Sequence, residues 1–145
     1  MAEIRRDPIS GRWVILSMDR TARPNDFSHS GGGPCPFCAG NERETLAEIA
    51  ADPPGAGWQV RVVPSHKPVL RIEGDLNRRA KGMYDVMDGV GAHEIIIETP
   101  QHIGNAADLP AEQLYTVFQA AVHRILDLER DPRFRYVLWF KNYGE

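Results

Sequence analysis

Cys35-Pro36-Phe37-Cys38 holds the only two cysteines of the 145-residue chain. Thiolates at this spacing can clamp one metal ion from two sides, and a tetrahedral zinc site needs four ligands. The same spacing serves redox pairs of the thioredoxin type. Gly31-Gly32-Gly33-Pro34 precedes the pair where a redox motif would have a buried apolar strand, and Ala39-Gly40 follows it. Such flanks resemble a zinc knuckle, whose backbone amides turn toward sulfur. Zinc is the reading they favour, and a redox pair or an inert pair stays open.

A third ligand must come from a histidine or a carboxylate. His102, just past Thr99-Pro100-Gln101, is the best candidate, because a histidine at a strand end can point back at a metal near a sheet edge; a plain loop histidine is the alternative. His93 lies inside a strand pattern and reads as a core or cross-strand polar residue. His123 reads as a near-surface position on a helix, and His29 as a solvated loop residue. His66, in Pro64-Ser65-His66-Lys67-Pro68, is ambiguous. No histidine follows His123, so a fourth ligand is expected beyond Glu145.

Other side chains suit anions. Arg20 and Arg23 flank Thr21-Ala22, and two guanidinium groups so placed can fork onto phosphate oxygens. A solvated basic loop is the commoner use of such a pair. Asn142 stands between Lys141 and Tyr143-Gly144, a place for an oxyanion contact or for plain turn chemistry.

The elements that must carry these groups follow from local pattern. Strands are predicted over Gly11–Leu16, Trp58–Val63, Ala92–Glu98 and Tyr136–Lys141. Leu70 and Ile72 belong to a further extended piece. The branched run of Ala92–Glu98 predicts a strand covered on both faces. A short helix is predicted over Asn41–Ala51. The long helix spans Leu109–Glu129, with Leu114, Val117, Phe118, Ala121, Val122, Ile125 and Leu128 on one face, Asp108 as cap and Pro110 in the first turn. Residues Ser28–Gly33 form a loose loop, and Asp75–Asp88 reads as a charged solvent loop or flap. Together these predict an α+β fold with a mainly antiparallel sheet.

A 42% hydrophobic content with 26% charged residues is ordinary for a domain with a real core. A net charge of −3 argues against general binding to nucleic acid or an anionic membrane. No run of about 18 apolar residues exists to span a bilayer. The charged start, Met1–Arg6, lacks the apolar core of a secretory signal, so a reducing cytoplasm is expected.

Several segments in order resemble the galactose-1-phosphate uridylyltransferase family of the histidine-triad superfamily. They are Arg6-Asp7-Pro8, Gly11-Arg12-Trp13-Val14, Arg20-Thr21-Ala22-Arg23-Pro24, Cys35–Glu42, Gly91–His102 and Phe140–Gly144. The resemblance implies a HIT-like α+β domain, with residues 1–145 as its N-terminal portion. It implies uridylyl transfer from UDP-glucose to galactose-1-phosphate by double displacement, through a covalent uridylyl-histidine. Carried over residue by residue, Cys35, Cys38 and His102 would hold a closed, structural zinc. Arg20 and Arg23 would contact nucleotide or phosphate, and Asn142 the phosphoryl region. Ser65 stands where the family commonly has an asparagine for a ribose or base contact. The nucleophile belongs to a His-x-His-x-Gln stretch absent from the chain, so these residues alone are expected to be inactive. Glu42 and the form Gly91-Ala92-His93-Glu94 resemble the branch that includes ADP-glucose phosphorylase, which passes an adenylyl group to phosphate. A non-catalytic zinc and nucleotide-binding module is the reading from another class. Sugar phosphates and nucleotide sugars are the expected partners, and exposed sheet edge predicts a homo-oligomer.

Overall fold

A computed structural model describes residues 2–16 and 34–142. Arg20, Arg23 and His29 lie outside the described residues. The described chain forms two compact units, one from residues 2–16 and 67–93, the other from residues 34–66 and 94–142. Among the described residues all strand pairs are antiparallel, and one long helix accompanies them, as the α+β expectation requires.

The first unit is a four-stranded sheet in the order β2-β1-β6-β5, from β1 (Glu3–Arg6), β2 (Trp13–Leu16), β5 (Arg79–Lys81) and β6 (Tyr84–Asp88). Asp7 makes the first turn. Its Oδ1 accepts from the backbone N–H of Ile9 and Ser10, and Gly11 closes the turn at φ +70°. Those hydrogen bonds hold the Asp7 carboxyl below its ordinary range. Asp75–Asp88, expected as a loop, instead contains the β5–β6 hairpin. Lys81 pairs with Tyr84 across Gly82-Met83, and Gly82 takes the positive φ of a two-residue turn. Leu70 and Ile72 form no strand; their neighbour Arg71 makes one isolated bridge to Val90.

Gly89 donates its N–H to the Ala2 carbonyl, extending the β1–β6 pairing. A Cβ at Gly89 would lie 2.7 Å from both the Cβ and the carbonyl oxygen of Ala2. We expect Gly89→Ala to cost about 1–3 kcal/mol by overpacking, read as a lower urea midpoint; an unchanged midpoint would show that β1 shifts freely.

The second unit is a three-stranded sheet in the order β3-β4-β7, from β3 (Ala50–Asp52), β4 (Val60–Pro64) and β7 (Glu94–Ile97). Helix α1 (Ala111–Leu128) packs against β4 and β7. Strand alternation divides the core. Val60 and Val62 face Ala120 of α1, while Val63 joins Trp58 and Ile97 in the cluster on the other side. Arg124 fixes the helix to the sheet with a two-pronged ion pair to Glu94, 2.7 and 2.8 Å long. Gln113 donates to the carbonyls of Gln59 and Glu98, tying the first turns of α1 to the ends of β4 and β7.

Five expectations are corrected here. Asn41–Ala51 is not a helix: only Glu42–Glu44 makes a 3-10 turn, and Ala50 already belongs to β3. Arg61 on β4 draws Thr45 and Glu48 to itself at 3.4 and 2.7 Å, so tertiary contacts override helix propensity. Asp108 does not cap α1; it ends the 3-10 turn Ala106–Asp108, and Pro110 occupies the cap position. The buried stripe of α1 is narrower than its apolar pattern, with Val117 and Ala121 buried and Phe118 52% exposed. Tyr136–Lys141 joins no ladder among the described residues, and Tyr136 is 77% exposed. Its aromatic content is used instead in a packing contact, with Trp139 edge-on to Phe118 at 5.2 Å. Nor is β7 covered on both faces: Ile97 is buried, Ile95 and Ile96 only partly, because β7 is an edge strand of the described sheet.

Candidate metal centre

Two segments distant in sequence meet at Cys35, Cys38 and His102. The Cys35–Asn41 stretch is a series of tight turns, with Cys38 N–H donating to the Cys35 carbonyl and Asn41 N–H to that of Cys38. The other segment leaves β7 through Thr99-Pro100. Ala39 N–H donates to the Pro100 carbonyl at 2.9 Å, which sets the cysteine turn beside the residues leading to His102.

The thiol sulfurs and one imidazole nitrogen all lie within 4.8 Å of one another. Cys38 Sγ is 3.4 Å from His102 Nδ1. Ligands about 2.3 Å (sulfur) and about 2.0–2.1 Å (nitrogen) from a tetrahedral zinc stand about 3.5 Å apart. The donor set therefore fits a metal ion in spacing and in chemistry, with three soft or borderline ligands on one side. Both cysteines are free. Burial, then the Cys35 thiol beside it, pushes the Cys38 thiol up, the reverse of the lowered value that activates a redox cysteine.

The turn is braced from outside the ligand set, by residues whose role the sequence did not reveal. Asn41 Nδ2 donates to the Cys35 carbonyl at 2.7 Å. Both Glu42 carboxylate oxygens lie 3.1 Å from Gly40 N, and Oε1 also accepts the Trp58 indole N–H at 2.9 Å. Arg61, 3% exposed, stacks over the Trp58 ring at 5.3 Å and pairs with Glu48. Its Nη1 has no partner among the described residues.

These hydrogen bonds, the one from Trp58 first, hold the Glu42 carboxyl down at about 2, against an ordinary 4.5. The unfolded chain takes up that proton more readily. The contribution of Glu42 to stability is therefore full above about pH 4.5 and is lost as pH falls toward 2. In metal-free protein, Glu42→Gln should flatten the fall of the urea midpoint between about pH 5 and about pH 2; parallel curves for the two proteins would contradict this.

The remaining predicted positions lie elsewhere. Ser65 is half-buried just past β4. Asn142 is exposed beside Lys141, whose ammonium pairs with Glu98 at the exit of β7. His93 Nδ1 accepts the Val69 N–H at 3.1 Å, in keeping with a structural polar role. His66 Nε2 lies 3.1 Å from the Glu44 carbonyl, and His123 is exposed on α1.

No protein-family model matches the chain. An ADP-glucose phosphorylase of Arabidopsis thaliana is 32% identical over 98% of the chain and 43% of its own length. The crystal structure of an ADP-glucose phosphorylase from that plant, with bound ADP-glucose, superposes with a TM-score of 0.62 at 31% identity, covering 94% of this chain and 41% of that one. A galactose-1-phosphate uridylyltransferase of Thermotoga maritima is 24% identical over all of the chain and 42% of its length. A uridylyltransferase structure superposes with a TM-score of 0.70 at 29% identity, covering 98% of this chain and 40% of that one. The chain thus spans less than half the length of these relatives. Its homologues are nucleotidyltransferase-type enzymes of the galactose-1-phosphate uridylyltransferase family, including the ADP-glucose phosphorylase branch, and the fold is theirs.

Proposed function

From this homology along the whole chain, we propose that residues 1–145 are the N-terminal HIT-like portion of a nucleotidyltransferase that transfers an adenylyl group from ADP-glucose to phosphate. The observation that carries the reading is the 32% identity to an ADP-glucose phosphorylase across 98% of the chain. Uridylyl transfer from UDP-glucose to a hexose-1-phosphate is the second reading, favoured by the 0.70 TM-score to a uridylyltransferase.

A histidine outside these 145 residues attacks the α-phosphorus of the nucleotide sugar. The bond from that phosphorus to the bridging oxygen breaks, and glucose-1-phosphate leaves. Phosphate then attacks the nucleotidyl-histidine, releasing ADP and the free histidine. Two easier displacements replace one hard one. Arg20 and Arg23 carry the phosphate-binding role, because guanidinium groups match phosphate oxygens in geometry and charge. Asn142 donates to the phosphoryl region, and Ser65 meets the ribose or base.

Cys35, Cys38 and His102 would hold zinc, with a histidine from the rest of the protein as fourth ligand. Closed on four protein ligands, zinc would pin the cysteine turn to the exit of β7 and leave no open position for water. Substrate contact is thus the task of the arginines, Ser65 and Asn142, and the metal ligands keep their backbone in register.

The test is a side-by-side assay of the full natural protein with ADP-glucose plus phosphate and with UDP-glucose plus galactose-1-phosphate. We expect kcat/KM for the adenylyl reaction to exceed the other by at least about tenfold. The opposite ratio would establish the uridylyl reading. Turnover of neither pair would leave a zinc and nucleotide-binding module.

A further inference from the structure

Glu42 lies four residues past Cys38 and outside the converging ligand atoms, yet it joins the metal-binding turn to the core. We infer that Glu42, gripped by the Trp58 indole, is a positioning residue for the metal centre, setting the metal affinity of Cys35, Cys38 and His102 without being a ligand. The inference rests on the zinc reading above.

Three side-chain or long-range links brace the turn. Asn41 to the Cys35 carbonyl is internal to it, and Ala39 to the Pro100 carbonyl joins it to the His102 segment. The third, from Gly40 to Glu42, is the one with a charged partner, and that partner is held in turn by a core residue. Trp58 is 4% exposed and packs with Val63 and Ile97. Its ring cannot tilt without opening that cluster, so its N–H holds Glu42 Oε1 in place. Gly40 stands at φ +91°, two residues past Cys38, and the direction of its N–H follows that unusual dihedral. Glu42 thereby selects the backbone path on which the Cys38 sulfur faces His102. A carboxylate suits the place because it accepts from two sides at once, which a single hydroxyl or amide oxygen does less well.

The experiment is a zinc competition titration of the full natural protein as wild type, Glu42→Gln, Trp58→Phe and the double variant, with cobalt-substituted spectra alongside. Trp58→Phe keeps an aromatic ring and most of the packing in the cluster while removing the N–H donor, so it guards against a Glu42 variant that misfolds. Each single change should weaken zinc by about 10- to 100-fold and alter the cobalt absorption. The double variant should be no weaker than the worse single one, because both cut the same link. Singles within about twofold of wild type, or losses that multiply in the double, would overturn the inference while leaving the zinc reading intact. A wild-type protein that binds no zinc would remove both.

Discussion

Cys38→Ser is expected to strip zinc from the protein. Cys38 Sγ is the atom placed 3.4 Å from His102 Nδ1, so it is the ligand that joins the two segments of the site. A serine hydroxyl there is neither a thiolate nor readily ionised. Changing an outer-shell partner typically costs 10- to 100-fold in metal affinity, and loss of a ligand should exceed about 100-fold. The cost reaches the fold as well, because metal-binding free energy at a structural site is folding free energy. Ala39 N–H to the Pro100 carbonyl would remain as the direct tie between the segments. Metal analysis of the purified variant, with thermal unfolding beside it, reads both effects. Wild-type zinc content in Cys38→Ser would exclude Cys38 as a ligand.

Trp58→Ala should be the most damaging single change to the second unit. The ring fills the cluster with Val63 and Ile97, with Ala51 and Ile95 packed against it. Truncating a buried aromatic to alanine costs about 3–5 kcal/mol through lost transfer energy and the cavity left behind. Two further losses follow from the structure. Arg61 loses the ring over which its guanidinium stacks, and Glu42 loses the N–H that orients it. Trp58→Phe retains most of the packing and should cost much less. Urea unfolding of the three proteins reads the order; equal midpoints for wild type and Trp58→Ala would mean that the cluster does not support the sheet.

Much of this was legible in the chain. β4, β7 and α1 carry strong periodic patterns and form where those patterns put them, although fewer of the apolar positions of α1 and β7 are buried than the patterns suggest. The cluster that could hold a metal was readable because Cys35 and Cys38 are the only cysteines and His102 comes shortly after the strongest strand. The β5–β6 hairpin was hidden because its strands face solvent: Val86 is its buried residue, and Arg79, Lys81 and Asp85 read as loop. Tyr136–Lys141 failed in the opposite sense. Its composition suits a strand, but a strand is a property of pairing, and no described neighbour pairs with it. Arg61 was concealed by the alternation of Trp58–Val63, where a charged residue reads as outward-facing although it is buried. Glu42 was visible only as a mark of one branch of the family. Its link to Trp58 spans 16 positions, and a pair that far apart leaves no periodic signal.

The most direct test of the proposed adenylyl transfer is the intact mass of the full natural protein after incubation with ADP-glucose in the absence of phosphate. Transfer through a covalent histidine predicts a gain of one adenylyl group per chain, one equivalent of glucose-1-phosphate released, and loss of the added mass when phosphate is supplied. An unchanged mass with both ADP-glucose and UDP-glucose, in zinc-loaded protein, would contradict nucleotidyl transfer through a covalent histidine.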